Sequence, residues 1–218
     1  MTTKPDSAES AESKAKHLTE MILRGDHELA AVSAAEMSRD RSEVNDLIDT
    51  VSEAMNIVSD LHEIDRLSTE QVESCEKAAE KALEVLRPKI RVEQARVLGR
   101  VMVASLQGDP HSFDKTLLMA MLEIGGFTAL DGGSDTSPQD LVEKIVQLEP
   151  DVLAVPLVTE SAAKNFAVTA ALLNSNQSPP KIVAFGRGAA RLAELPQPVE
   201  EDTLGALSRI AELLILKG

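Results

Sequence analysis

From Lys16 to about Pro88 the apolar positions recur at helical spacing, and no stretch alternates as a strand would. Leu18, Met21 and Ile22, then Leu29 and Val32, share a face interrupted by Gly25-Asp26, a break suited to joining two short helices. Val44, Leu47, Ile48, Val51, Met55, Val58 and Leu61 keep a 3.6-residue period. Ser68-Thr69-Glu70-Gln71 has the form of a capping box. It opens a helix carrying Val72, Cys75, Ala79, Ala82, Leu83 and Leu86, which Pro88 ends. Four such helices predict a small antiparallel bundle over 15–90. Residues 1–14 lack apolar periodicity and are expected to form a flexible tail.

After a charged connector, Lys89 to Arg100, the pattern changes to short apolar runs separated by amphipathic segments. Strands are expected at Val101 to Leu106, Phe127 to Leu130, Val152 to Leu157 and Ile182 to Phe185, with a minimal one near Val199. Helices are expected from Phe113 to Ile124, from a Ser137 cap to Leu148, from Glu160 to Leu173, near Ala189 to Leu195, and from Asp202 to Leu214. Residues 91–218 therefore read as an α/β domain, a Rossmann-like (flavodoxin-like) doubly wound parallel sheet of five strands. Ligands of such sheets sit beyond the carboxyl ends of the strands.

Composition narrows the function classes. The chain has 218 residues, 43% of them hydrophobic, with no Trp or Tyr and four Phe, so its core must rest on aliphatic side chains. A formal charge of −14 argues against nucleic-acid backbones and anionic membrane surfaces. No apolar run approaches bilayer length, and no signal-peptide pattern opens the sequence. One cysteine, Cys75, leaves no intrachain disulfide, and a cytoplasmic protein is expected.

The candidate chemistry lies after the first strand. Asp109 stands two residues before His111, at the edge where ligands bind. A carboxylate there can accept the hydrogen bond of one ring nitrogen and leave the other for a metal. The same residues also suit an ordinary polar turn. Lys115 reads as a solvated charge, and Asp114 as an acid favoured by the helix dipole. His17, His27 and His62 read as surface residues, and Cys75 as core. Met55, Leu61 and Val72 suit either bundle core or a ligand-facing surface. Gly132-Gly133-Ser134-Asp135 reads as a turn before a helix cap, and Gly186-Arg187-Gly188 falls short of a dinucleotide loop. No catalytic triad, HExxH or Walker loop is present, so no catalytic residue is assigned.

The order of motifs resembles the corrinoid (cobalamin) proteins of methyltransferase systems and methionine synthase. Ile22-Leu23-Arg24-Gly25-Asp26, Gly108-Asp109-Pro110-His111, Lys115, Leu122-Glu123-x-x-Gly126-Phe127 and Pro150-Asp151-Val152 carry the likeness, which covers roughly 16–214. It implies a helical cap over the Rossmann-like domain, His111 as lower axial ligand to cobalt, and Asp109 as its hydrogen-bond partner. It further implies cofactor contacts at Ser112, Asp114, Pro156, Leu157, Phe185 and Gly186. Three of these depart from the family's Asp-x-His-x-x-Gly, Ser-x-Leu and Gly-Gly pattern. Asp114 stands for the motif glycine, Pro156 for the serine, and Phe185 for a glycine. All three fall where the family places the cofactor's benzimidazole tail. The implied function is a cobalamin-binding methyl carrier or cofactor-responsive protein, not catalytic alone, working with a methyltransferase or regulatory partner. Homodimerisation stays open. The alternative is a regulatory or interaction module that binds heme or no tetrapyrrole. The absence of Trp speaks against the light-sensing mechanism of cobalamin photoreceptors.

Overall fold

The computed structural model describes residues 7–39, 43–90, 98–174, 178–186 and 199–215. The chain divides into two compact units, Met1–Arg91 and Val92–Gly218. In the first, α1 (Ser7–Leu23), α2 (His27–Met37), α3 (Val44–Glu63) and α4 (Thr69–Leu86) follow the expected order. Helix α1 already begins at Ser7, so 7–14, expected as tail, have helical backbone. Ala, Glu and Lys there are good helix formers, a propensity that apolar periodicity does not register. Asp26 caps α2 by accepting the Leu29 N–H at 3.0 Å. Ser68 and Gln71 form the full capping box of α4. All four phenylalanines lie beyond residue 90, and the bundle core is aliphatic. Leu18, Ile22, Ile48, Val51, Val58, Leu83 and Leu86 are buried around Ala30, Ala34, Ala78, Ala79 and Ala82. Alanines on both α2 and α4 leave room for close approach of those two helices. Cys75 is buried among them, His17 and His62 are exposed, and Met55, Leu61 and Val72 are half-buried.

The second unit is a five-stranded parallel sheet of order β2-β1-β3-β4-β5. Its strands are β1 (Arg100–Leu106), β2 (Thr128–Thr136), β3 (Val152–Pro156), β4 (Lys181–Phe185) and β5 (Val199–Glu200). The helices are α5 (Phe113–Ile124), α6 (Pro138–Leu148), α7 (Glu160–Leu173) and α8 (Thr203–Ile215). The sheet is therefore the expected doubly wound one. The expected helix near 189–195 falls outside the described residues.

Strand alternation divides the core into two layers. Met102, Ala104, Leu106, Leu153, Val155 and Ala184 pack with Leu141, Ile145, Ala162 and Phe166 of α6 and α7. Val101, Val103, Val152, Ala154, Val183 and Phe185 pack with Leu118, Met119, Leu122, Ala206 and Ile210 of α5 and α8. Full burial of each large side chain contributes about 1.5–3 kcal/mol relative to exposure.

One expectation needs correcting. Residues 132–135 are not a free turn but the end of β2, which runs to Thr136. The register shifts after Val103, pairing Ala104 with Gly133 and Leu106 with Thr136. Glycine makes this close approach practicable, because a Cβ on Gly132 would lie 2.6 Å from Ala104 Cβ. Among the described residues no helix is long and apolar enough to cross a membrane.

Candidate functional site

The loop from Gln107 to Ser112 joins β1 to α5 at the carboxyl edge of the sheet. Asp109 is its buried member, 3% exposed, and both carboxylate oxygens are used. Oδ1 accepts the backbone N–H of His111 at 3.1 Å, and Oδ2 accepts that of Val158, beyond β3, at 3.2 Å. Gly108 adopts φ +84°, and an added Cβ would meet the side chain of Ser161. Its N–H donates to Asp135 Oδ1 at 2.8 Å, and its carbonyl accepts from the Thr159 hydroxyl at 3.1 Å. Asn165 Nδ2 donates to the Gln107 carbonyl at 2.8 Å. The loop is thus clamped between the end of β2 and the first turns of α7.

His111 and Ser112 are half-buried on the crest of this loop, and Asp114 is half-buried in the first turn of α5. Ser112 occupies the N-cap of α5 without a side-chain cap bond. Lys115, expected to be solvated, is instead buried, and its ammonium lies 2.8 Å from Asp131 Oδ1. Asp131 also accepts the Gly133 N–H at 2.8 Å. The extended β2 brings that carboxylate over α5, which the expected shorter strand would not have done.

The remaining predicted positions lie at the ends of β3 and β4. Pro156 is opposite Phe185 in register, and the Leu157 N–H donates to the Phe185 carbonyl at 2.7 Å. Phe185 is fully buried in the α5/α8 layer. The bare backbone comes one residue later. Gly186 has φ +121°, and a Cβ there would lie 3.1 Å from the Leu157 carbonyl oxygen. Ser105 is a site residue that the sequence reading missed. It is fully buried beneath the loop, with its hydroxyl 3.5 Å from the His111 carbonyl. A hydroxyl closing an otherwise apolar strand, on the face of Val101 and Val103, was the available signal.

No family model matches the chain. It is 32% identical over 113 residues to trimethylamine corrinoid protein 2 of Methanosarcina acetivorans, covering 51% of this chain and 52% of that one. It is 31% identical over 132 residues to trimethylamine corrinoid protein 1 of Methanosarcina mazei, covering 59% and 61%. The match thus spans about half to three-fifths of the length of these curated relatives. A fainter likeness, 23% over 216 residues, covers 95% of this chain and 99% of dimethylamine corrinoid protein 1 of Methanosarcina mazei. The fold agrees with the solved monomethylamine corrinoid protein of Methanosarcina barkeri at a TM-score of 0.70, 20% identity, and 90% and 96% coverage. The chain is a homologue of the methylamine corrinoid proteins.

The residues of this corrinoid-protein homologue suit the family's cofactor unequally. At the loop the donor chemistry fits: an imidazole on the crest, its backbone held by a buried carboxylate, with the buried Ser105 hydroxyl 3.5 Å from its carbonyl. On the α5/α8 side the fit fails for a nucleotide tail. Phe185 fills that layer, Pro156 supplies neither hydroxyl nor N–H, and Asp114 adds a carboxylate.

Proposed function

We propose that this chain would hold a cobalamin-type corrinoid through His111 and would carry methyl groups for a separate methyltransferase. The observation that supports this most is the placement of His111, half-buried on a clamped crest at the carboxyl edge of the sheet. When bound, the corrinoid supplies the metal that accepts and releases the methyl group. The chain's own part is positional. Asp109, Asp135, Thr159 and Asn165 hold the loop, so the imidazole needs little reordering to bind. The resemblance to corrinoid proteins further assigns Asp109 the role of accepting the ring's other N–H once one nitrogen is bound to metal. The names of the relatives point to a methylated amine as the class of methyl source, used through the partner enzyme.

The test is an ultraviolet–visible titration of the apoprotein with hydroxocobalamin and methylcobalamin, with hemin in parallel and His111→Ala as control. A cobalamin spectrum that depends on His111 and survives desalting is the expected result. A His111-dependent Soret shift with hemin alone would make the site a heme site. No binding of any of the three would overturn the cofactor reading.

A further inference from the structure

We infer that the corrinoid is held by its macrocycle and His111 alone, with its nucleotide tail left outside the α5/α8 layer; the inference rests on the function proposed above. Three strands end on this side of the sheet. Pro156 of β3 stands opposite Phe185 of β4, Val103 of β1 stands opposite Ala154 of β3, and Ser105 lies near the end of β1. Pro156, Phe185 and Ser105 are all buried. Phe185, fully buried, belongs to one core cluster with Leu118 and Met119 of α5 and Ala206 and Ile210 of α8. Phe113 and Leu117 of α5 are buried as well. Among the described residues, a bicyclic base entering this layer would have to displace the fully buried Phe185 ring, because close-packed interiors hold little spare volume.

Charge acts in the same direction. The tail carries a phosphodiester, and the described residues at this edge include Asp109, Asp114, Asp131 and Asp135. Among the described residues here, Lys115 is already paired with Asp131, and the Lys144 ammonium donates to the Gly132 carbonyl at 2.7 Å. An anion drawn into this edge would meet several carboxylates with no free ammonium from Lys115 to offset them. Macrocycle binding at the crest needs none of this space.

The experiment compares hydroxocobalamin with aquacobinamide, which has the same macrocycle and no nucleotide. Affinities are read from the His111-dependent spectral change, and the phosphorus NMR line of bound cobalamin is recorded alongside. With the tail outside, cobinamide binds at least as tightly, because cobalamin must also detach its own base from cobalt. The phosphorus line of bound cobalamin stays narrow, as expected for a tail moving freely. Cobalamin binding more tightly than cobinamide, with a broadened phosphorus line, overturns the inference and leaves the proposed function standing. No His111-dependent binding of either compound overturns both.

Discussion

Asp109 joins two carboxyl-edge loops through Val158: its Oδ2 accepts the Val158 N–H at 3.2 Å while Oδ1 accepts the N–H of His111. One buried carboxylate therefore links the end of β3 to the residue proposed to bind cobalt. Asp109→Ala leaves both N–H groups without this acceptor, and a buried donor left unsatisfied costs about 1–3 kcal/mol. Urea unfolding should show a loss of that size. The His111-dependent cobalamin spectrum should weaken in the same variant, and unchanged affinity would exclude a positioning role for Asp109.

Lys115 and Asp131 form an unequal ion pair, with side chains 8% and 58% exposed. Removing the exposed partner strands a buried ammonium, whereas replacing the buried one leaves a solvated carboxylate. Asp131→Ala is expected to cost about 1–2 kcal/mol, less than the loss for a fully buried pair because solvent screens Asp131. Lys115→Met should be close to neutral, since it keeps the aliphatic stem and removes the buried charge. Thermal melts of the two variants decide this, and equal losses would contradict it.

Gly108 combines φ +84° with the approach of Ser161. Gly108→Ala therefore incurs backbone strain and a clash, together about 1–3 kcal/mol. The companion change Ser161→Gly should recover only part of this, because it opens space without relieving the dihedral angle. Complete recovery of the melting temperature in the double variant would show that the clash alone mattered.

Cys75 is 1% exposed, and burial pushes its thiol above the usual range, with Glu76 adding to the effect. The raised folded-state value keeps the thiol protonated at neutral pH, so it adds no pH dependence there. As pH rises past the ordinary thiol range the unfolded chain ionises first, and stability falls. Native protein at pH 8 should react slowly with a disulfide reagent such as dithiobisnitrobenzoate, and urea-unfolded protein quickly. Equal rates would place the thiol at the surface.

Much of this architecture was legible from local patterning. The 3.6-residue period through Val44 to Leu61, the capping box at Ser68 and the apolar runs of β1, β3 and β4 are properties of contiguous residues. Each reappears in the structure within a residue or two. The Asp109–His111 spacing could likewise be placed at the sheet's carboxyl edge, because a parallel sheet puts every strand-to-helix loop there. The bonds within that edge could not be read in the same way. Lys115 looked solvated because its partner Asp131 lies 16 residues away, brought near by the parallel pairing of β1 and β2, in which Asp131 stands opposite Val103. Ser105 was passed over because its burial depends on a loop folding back above it.

By itself, then, the sequence determined the elements, their order, the parallel sheet and the position of the imidazole, since these follow from periodicity and short-range chemistry. Tertiary structure alone decided that Phe185 is buried, that Asp109 also takes the Val158 N–H and that Lys115 is paired with Asp131. Those outcomes depend on register and packing between residues far apart in the chain. Only the assembled layers show that the Phe185 ring is buried in the α5/α8 layer.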